Sequence, residues 1–473
     1  MNDSFGKVRH YLVRLVPVAA AICFLCWCYV SVRPFHAWDD AEPEILNQAW
    51  RLSQGEQIYR TIDTPPYLHT AYPPLYFAIV AAALKLTGLS YLPAKLVSFL
   101  SVLAIGVALA LLGRTWQGSA KWGLWATCCL FLIPAFLYNT ARTHVQMLAV
   151  ALSIWSFVLF LRADRLATIA SAVLAVLAVY TKQTQVALPL AMVVYLALRD
   201  RRRLLPYVAT LALAGTIPLV WLQWVTDGYF LRHTITLNAL SYRLVDIPLV
   251  VLHYAGPVFL FIGLAAYEVS RRFGERRAEA VDFYFVSVGL ATAIACGRLG
   301  AHTQYVVDLC VVVFIVLLRT AEFGTMRGLD RLVSLQLIIL LLYSPLFVFI
   351  EEGRFGMASN RAAKQVHALL RTEQGPVLAQ QSSFALFSRG ELYIQLFHFT
   401  ALARAGLWDM GKLQREVETR SFAWVITEFP IEGGTLSPDD LERFTPEIVD
   451  ALHRNYQRAE TIPPYFIYRP ALR

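Results

Sequence analysis

Long apolar runs constrain the fold of this chain more than any other feature of its sequence. There are twelve of them, at 11–32, 73–89, 93–113, 122–140, 145–162, 166–181, 184–199, 204–226, 246–269, 280–297, 303–319 and 332–350. A helix that spans a membrane needs about 20 mostly apolar residues. Only 16% of the 473 residues are charged, whereas soluble proteins carry about 25%. The pattern therefore predicts a mainly α, polytopic membrane bundle.

Run 73–89 is the one doubtful span, and the basic residues elsewhere in the chain indicate how to interpret it. It is short, begins with two prolines and contains Lys85. Arginine clusters at 199–203 and 271–277 follow later spans, and such clusters favour the cytoplasmic side. They share that side with the basic N-terminus only if 73–89 does not cross. We therefore predict about eleven spans and a helix on the outer surface at 73–89, with a short true span as the alternative.

After residue 350 the composition changes from apolar to mixed. Strand-like runs occur at 375–387, 422–429 and 465–470, and helix-like runs at 401–419 and 439–458. We predict a small extracytoplasmic α/β domain over 351–473. It follows a transmembrane module over 1–350, whose first outer loop, 33–92, carries juxtamembrane helices. The seven cysteines lie in apolar runs and no metal-ligand spacing is present, so we expect neither disulfides nor a zinc site.

The first outer loop begins with a concentration of acids, "HAWDDAEPE", which contains Asp39, Asp40, Glu42 and Glu44. One interpretation is structural, because acids and Pro43 are favoured at the start of a helix. The other is chemical, since a carboxylate at the membrane face can take a proton from an attacking hydroxyl. We assign Glu42 and Glu44 mainly to the helix start and regard Asp39 and Asp40 as candidate bases.

Basic residues that the predicted topology leaves on the outer side form a second candidate set. They are Lys95, Arg142, Lys182, Arg232, Arg243 and Arg298, with His144, His233 and His302 near them. Ionisable groups at membrane depth are costly and are functional candidates, and together these cations suit a lipid-linked phosphate. Each could instead snorkel to headgroups or cap a helix, and His233 is more typical of an ordinary loop histidine. Lys182 is the strongest candidate because "YTKQT" joins two spans with almost no loop.

Asp308 is the acid that accompanies these cations. It is predicted to lie about two helical turns inside the run 303–319. A carboxylate at that depth needs a partner, and we expect a basic or hydroxyl side chain.

Taken in their order along the chain, several motifs resemble those of the GT-C integral-membrane glycosyltransferases. The resemblance is strongest to bacterial members grouped with the protein O-mannosyltransferases and lipid A aminoarabinose transferases. "WDDAEPEILNQAWRLSQGEQIYR" is similar to their first outer loop, and "YPPLYFAIVAAALKLTG" to their second juxtamembrane helix. "PAKLVSFLS", "NTARTHVQMLAVALS", "YTKQT" and "GAHTQYVVD" resemble later elements, and "GPVLAQ" and "FAWVITEF" the extracytoplasmic tail. The resemblance covers nearly the whole chain. It depends on the order of the motifs, since none is specific alone.

The resemblance implies an inverting transferase that uses a polyprenyl-phosphate sugar, with Asp39 or Asp40 as general base. It implies donor-phosphate contacts from Lys182, Arg142, Arg298 and His302. It also implies a substrate cavity lined by Glu42, His144, Gln183, His233, Gln304 and Tyr305. The chain departs from the family in two places: Ala41 interrupts the usual "D-E" pair, and His144 replaces the acid of "A-R-x-D". A divalent metal between outer loops is therefore not favoured, and no other cofactor is indicated.

We therefore predict a glycosyltransferase of the inner or plasma membrane, acting at its outer face on a lipid, glycan or protein acceptor. The alternatives are a transporter or flippase of a lipid-linked substrate and a membrane-anchored binding protein. Inverted repeats and broken midplane helices are typical of transporters and are not evident. A binding protein does not explain cations gathered on one side. The excess positive charge of +9 is accounted for by cytoplasmic loops, so no nucleic-acid partner is predicted.

Overall fold

The computed structural model describes residues 2–31, 41–320, 330–355, 357–372, 374–433 and 436–472, and most of them are helical. The helices in the first half of the chain are α1 Asn2–Ser31, α2 Ala41–Ser53, α3 Leu75–Thr87, α4 Leu92–Gln117, α5 Ala120–Phe131, α6 Pro134–Asn139, α7 Gln146–Phe160, α8 Arg165–Thr181, α9 Ala187–Arg199, α10 Arg201–Val225 and α11 Tyr229–Leu231. Short 3₁₀ turns cover Gln183–Val186, Gly256–Val258 and Thr303–Tyr305, and a π-helical turn covers Arg232–Thr236.

The second half contains further helices and a four-stranded sheet. The helices are α12 Asp246–Ala255, α13 Phe259–Gly274, α14 Ala280–Cys296, α15 Val307–Arg319, α16 Asp330–Phe355, α17 Met357–Leu370, α18 Ser382–Arg389, α19 Leu396–Arg404, α20 Gly411–Glu418, α21 Pro438–Leu441 and α22 Pro446–Asn455. The strands are β1 Val377–Ala379, β2 Trp424–Thr427, β3 Tyr456–Ile462 and β4 Tyr465–Pro470.

Five helical segments in the described part of the chain are long and apolar enough to cross a membrane. They are Tyr11–Ser31, Leu92–Gln117, Arg201–Val225, Asp246–Gly274 and Arg331–Glu351. Shorter apolar helices cover Leu75–Thr87, Gln146–Phe160, Arg165–Thr181 and Ala280–Cys296. The predicted apolar helical architecture is therefore present, while the count of eleven spans stays a prediction.

Two predicted runs are divided, and a proline accompanies each division. Run 122–140 separates into α5 and α6 just before Pro134. Run 246–269 separates into α12 and α13 around a 3₁₀ turn that contains Pro257. Proline has no backbone N–H and its ring clashes with the preceding turn, so a continuous helix is disfavoured at both places.

Helix α3 occupies the doubtful run 73–89. It has 13 residues, which at 1.5 Å per residue gives a length of about 20 Å. The hydrocarbon core of a bilayer is about 30 Å thick. Helices α9 and α15 also have 13 residues, so length does not distinguish α3 from them, and the surface position of run 73–89 stays a prediction.

The first of two compact units consists of Met1–Val32, Lys95–Trp221 and Tyr242–Glu351. Within it α7 packs on α8, α14 packs on α9 and α15, and α1 packs on α5. Helix α15 is buried along nearly its whole length. All seven cysteines lie in this unit, within the described residues, and all are free thiols.

The second compact unit consists of Arg33–Ala94, Leu222–Ser241 and Glu352–Arg473. Its sheet has the order β1-β2-β4-β3, with β1 parallel to β2 and the other pairs antiparallel. Its apolar core includes Ile62 and Tyr67 from the first loop, Leu237 from the middle segment, and Trp408 and Tyr468 from the C-terminal segment. This unit therefore also includes two stretches of chain that precede residue 350. The predicted domain boundary at 350/351 stays a prediction.

Three details of the C-terminal prediction are wrong. Run 375–387 forms only the three-residue strand β1 and then becomes helix α18. Run 401–419 separates into α19 and α20, because the chain turns at Gly406, which has a φ of 69°. The end of run 439–458 leaves the helix and starts β3 at Tyr456, which was not predicted. Strand β3 is mostly exposed, so it lacks the apolar alternation by which a strand is recognised.

Candidate active site

Lys182 lies buried in the first unit, where one helix ends and the next begins. Helix α8 ends at Thr181, Lys182 is extended with φ −150° and ψ 121°, and the 3₁₀ turn Gln183–Val186 follows at once. The backbone N–H of Lys182 donates to the carbonyl of Ala178 at 2.9 Å, which closes the helix. Only 2% of Lys182 is exposed. An ammonium in such a place needs polar partners, since an unpaired buried charge is very costly.

The partners of Lys182 form a continuous hydrogen-bonded chain, which we call the lysine network. The ammonium Nζ donates to Oε1 of Gln146, and Nε2 of Gln146 donates to Oδ2 of Asp308 at 2.8 Å. Nε2 of Gln185 donates to Oδ1 of Asp308 at 2.9 Å. Oγ of Ser153 donates to Oε1 of Gln185 at 2.7 Å. These hydrogen bonds join helix α7, helix α15 and the turn after α8 around the Lys182 ammonium and the Asp308 carboxylate.

Asp308 differs from its prediction in both position and partners. Helix α15 begins at Val307, so Asp308 lies in its first turn rather than two turns inside. The run 303–319 begins with a 3₁₀ turn, and this delays the helix. The hydrogen-bond partners are two amide side chains rather than a basic or hydroxyl group, although Lys182 also attracts the carboxylate. A helix N-terminus favours negative charge, so the position stabilises the carboxylate.

Two more of the predicted site residues lie near the ammonium. Nζ of Lys182 is 4.7 Å from the centre of the Tyr305 ring, which is within the range of a cation–π contact. The positive charge of Arg298 also acts on Lys182. Gln183 and Gln304 are half-buried in the 3₁₀ turns before α9 and α15. Among the described residues, the side-chain charges that act on Lys182 thus include one positive charge, from Arg298, and one negative charge, from Asp308.

A second group of predicted residues is organised around Tyr138 in α6. The guanidinium carbon of Arg142 is 4.2 Å from the centre of the Tyr138 ring, and the His302 ring centre is 5.6 Å from it. Oγ of Thr303 is 3.1 Å from Nδ1 of His302 and accepts from Nδ2 of Asn139 at 3.1 Å. The segment before α7 and the segment before α15 are thus held side by side.

His144 connects the two groups. Its Nδ1 accepts from the backbone N–H of Gln146 at 3.2 Å, which places the imidazole beside the amide residue that holds Lys182. Oγ of Ser98 donates to the carbonyl of Arg142 at 2.6 Å. Eight of the twelve predicted site residues therefore lie in the first unit, in two adjoining groups: Arg142, His144, Lys182, Gln183, Arg298, His302, Gln304 and Tyr305.

The remaining predicted residues lie elsewhere. Asp39 and Asp40 are outside the described residues. Glu42 belongs to the second unit and is buried in the first turn of α2. His233 is also buried there; its Nε2 donates to the carbonyl of Arg60 at 2.6 Å and its Nδ1 accepts from the N–H of Thr70 at 3.0 Å. Both ring nitrogens are used by backbone, which suits packing better than substrate binding.

Three of the outer cations have local partners. Nζ of Lys95 donates to the carbonyl of Ser31, the last residue of α1. Arg232 pairs with Asp63 at 4.0 Å and Arg243 with Asp246 at 3.7 Å. Lys95 therefore caps a helix end, which is the structural alternative given for such cations.

Gln146, Gln185 and Ser153 were missed by the sequence analysis. They stand out in retrospect as polar residues in or beside the apolar runs 145–162 and 184–199. A single glutamine there is unremarkable, and only the packing of α7, α15 and the turn after α8 brings them to one carboxylate. Among the described residues, no group of three or more His, Cys, Asp or Glu side chains is arranged to hold a metal ion.

Residues 71–224 match the family model described as dolichyl-phosphate-mannose-protein mannosyltransferase. No curated protein matches the chain by sequence. The predicted resemblance to GT-C glycosyltransferases is confirmed by this match and by the solved structures that share the fold.

Two solved structures illustrate the shared fold. ArnT from Cupriavidus metallidurans bound to undecaprenyl phosphate has a TM-score of 0.64 at 13% identity, covering 95% of this chain and 97% of ArnT. The oligosaccharyltransferase of Archaeoglobus fulgidus, tethered to an acceptor peptide, has a TM-score of 0.53 at 10% identity. That match covers 96% of this chain and 74% of the oligosaccharyltransferase.

Proposed function

We propose that this chain is a membrane glycosyltransferase that moves a sugar from a polyprenyl-phosphate donor to an acceptor in the cell envelope. The observation that carries the proposal is the buried ammonium of Lys182, which lies at a helix end and within electrostatic range of Arg298. Such cations bind phosphate through charge-assisted hydrogen bonds. ArnT, which has a similar fold over its whole length, was solved with a polyprenyl phosphate bound.

The proposed reaction is a single displacement at the anomeric carbon. The acceptor hydroxyl oxygen forms a bond to C1 of the sugar while the bond from C1 to the phosphate oxygen breaks. The electron pair of that bond stays on the phosphate, and the hydroxyl proton passes to the carboxylate of Asp39 or Asp40. Configuration at C1 inverts because attack and departure occur on opposite faces.

Lys182 and Arg298 have the charge that the leaving group requires. Negative charge grows on the phosphate as the bond to C1 breaks, and positive groups already in place stabilise that state without reorganising. Arg142 and His302, held beside Tyr138, are assigned to the same phosphate or its lipid oxygen. His144, Gln183, Gln304 and Tyr305 are assigned to the surrounding cavity. We place this site at the outer membrane face, together with the C-terminal segment.

Binding of the lipid phosphate tests the cationic site directly. The full chain in nanodiscs is mixed with undecaprenyl phosphate, and the bound lipid is measured by native mass spectrometry. Lys182→Ala is expected to weaken binding by at least about tenfold, since a charge-assisted contact is lost. Lys121→Ala, at an exposed lysine at the start of α5, is the matched control and should bind as the parent does. Equal binding by Lys182→Ala and the parent removes Lys182 from the site.

Transfer is tested by comparing envelope glycans of a deletion strain with those of strains complemented by the parent, Asp39→Asn or Asp40→Asn. We expect one glycan to disappear on deletion, return with the parent, and fail to return with one of the two variants. Full activity of both variants would exclude the assigned base. Movement of a lipid-linked sugar across the membrane without any transferred product would favour the flippase alternative.

A further inference from the structure

Asp308 puts a negative charge into a cluster that is proposed to bind an anion. Both of its carboxylate oxygens accept amide N–H bonds, from Gln185 at 2.9 Å and from Gln146 at 2.8 Å. Amide donors on both oxygens favour the ionised form over the protonated form, and so does the attraction of Lys182, whereas burial opposes it. In its ionised form the carboxylate repels any phosphate that Lys182 attracts.

Gln146 lies between Lys182 and Asp308, and this arrangement lets the Lys182 ammonium donate hydrogen bonds to a ligand although a carboxylate is nearby. Asp308 does not accept its hydrogen bonds from the ammonium itself but from the two amides. Within the described residues the Lys182 ammonium uses one N–H, toward Gln146, and an ammonium has three. The arrangement leaves the negative charge of Asp308 in the cluster while the ammonium can still donate to a ligand.

The negative charge of Asp308 acts differently on the two forms of the ligand, because these forms differ in charge. A sugar-phosphate-lipid donor is a phosphodiester with a single negative charge. The lipid phosphate left after transfer is a monoester, with a charge of about −1.5 to −2 at pH 7. Repulsion by Asp308 is therefore about twice as strong for the product as for the donor.

We propose that Asp308 is a specificity-determining residue that favours the phosphodiester donor over the phosphomonoester product and so speeds product release. This inference rests on the proposed function, because it assumes that Lys182 binds a lipid phosphate. It assigns to Asp308 a role in the charge balance of the site beyond holding Gln146 and Gln185 in place.

Asp308→Asn is the test variant, since it removes the charge and keeps the shape. The network can accept it: Gln185 turns its amide so that Oε1 accepts from the new amide and Nε2 donates to Oγ of Ser153. The other carboxylate oxygen becomes the amide oxygen and still accepts from Gln146. Gln185→Met is the matched control, because it removes a hydrogen bond to Asp308 and leaves every charge unchanged.

Two lipid probes of different charge separate repulsion from simple structural support. The full chain in nanodiscs is titrated at pH 7 with undecaprenyl phosphate and with its methyl phosphodiester. For a charge about 10 Å away at an effective dielectric of about 20, loss of Asp308 should tighten the diester about tenfold and the monoester about a hundredfold. The preference for the diester should then fall about tenfold in Asp308→Asn and stay at the parent value in Gln185→Met.

The outcomes distinguish this proposal from the function on which it rests. If the parent binds both lipids and Asp308→Asn changes them by the same factor, or weakens both, Asp308 has only a structural role and the inference is overturned. A shift of equal size in Gln185→Met would overturn it too, because no charge is changed there. Failure of the parent to bind either lipid would overturn the proposed function as well.

Discussion

The imidazole rings of His69 and His398 lie parallel, with centroids 3.8 Å apart and 3° between their planes. His233 extends the stack, with its centroid 5.3 Å from that of His69 and 8° between the planes. Each histidine comes from a different segment of the second unit. Nε2 of His69 lies 2.8 Å from the carbonyl of His233, so it must carry the proton, since a carbonyl only accepts. The stack thus ties the three segments together.

We expect the second unit to lose stability in mild acid because His233, one member of this stack, is buried. Burial lowers the pKa of His233 to about 4, with a smaller contribution from Arg232, whereas an unfolded histidine has a pKa of about 6.5. Between these pH values His233 is protonated in the unfolded chain and neutral in the folded chain. The free energy of unfolding should therefore fall as the pH drops from about 6.5 to about 4, by at most about 3 kcal/mol.

Thermal unfolding between pH 7.5 and 4.5 measures this effect. His233→Asn keeps an amide oxygen near the position of Nδ1 but does not titrate, so its melting temperature should depend less on pH than that of the parent. His453→Asn changes an exposed histidine of α22 and should keep the parent dependence. A His233→Asn curve parallel to the parent curve would show that other groups cause the acid sensitivity.

Close packing of α4 and α5 should make Gly123 intolerant of a side chain. A Cβ at Gly123 would lie 1.9 Å from the carbonyl oxygen of Leu109 and 2.6 Å from Cα of Ala110, both backbone atoms. Gly123→Ala must push the helices apart, and we expect a loss of about 1–3 kcal/mol. Gly215→Ala in α10 is the control, because nothing lies within 4 Å of its Cβ position. A melting temperature of Gly123→Ala equal to that of Gly215→Ala would contradict the helix contact.

Tyr67 should anchor the first loop to the C-terminal segment within the second unit. Its ring lies 5.1 Å from that of Trp408, and its hydroxyl donates to Glu416 at 2.8 Å. Tyr67→Ala removes a buried aromatic side chain and its hydrogen bond and should cost about 3–5 kcal/mol, whereas Tyr67→Phe loses only the hydrogen bond to the carboxylate, worth about 1.5–3 kcal/mol. Denaturant unfolding followed by circular dichroism compares the two variants. Similar losses in both variants would contradict a packing role for the ring.

We expect that the C-terminal segment does not fold alone, because its apolar core includes residues from the other two segments of the second unit. Nε1 of Trp408 donates to the carbonyl of Ile62 at 3.1 Å, and the core includes Tyr67 and Leu237. A fragment of residues 352–473 would expose these contacts and should show broad, poorly dispersed amide signals in NMR. A well-dispersed spectrum would contradict this expectation and would show that the predicted α/β domain over 351–473 folds by itself.

The membrane orientation can be tested by cysteine labelling. Arg202→Cys lies in an arginine cluster that should be cytoplasmic, and Ala459→Cys lies at an exposed position of β3. In a Cys26→Ser background, chosen because Cys26 is the exposed native thiol, an impermeant maleimide should label intact cells at 459 and not at 202. Labelling at 202 from outside would reverse the predicted topology.

Much of the helical architecture follows from the sequence, because apolar periodicity is a local property. Helices α4, α8, α10 and α14 lie almost where the apolar runs predicted them. The burial of Lys182 was also expected, since a turn with no spare residues gives its ammonium no route to water. Strand β3 was missed because its side chains are mostly exposed and it is a strand only through its pairing with β4.

The sequence by itself determined that the chain is a bundle of apolar helices with a lysine trapped at a helix junction. Only the tertiary structure determined which side chains surround that lysine. Gln146 and Asp308 are 162 residues apart, and Gln185 and Asp308 are 123 apart, so no local pattern relates them. The same is true of His69, His233 and His398, which meet only because three distant segments share one core. A buried polar group takes whichever partner the packing supplies, and packing depends on the whole chain.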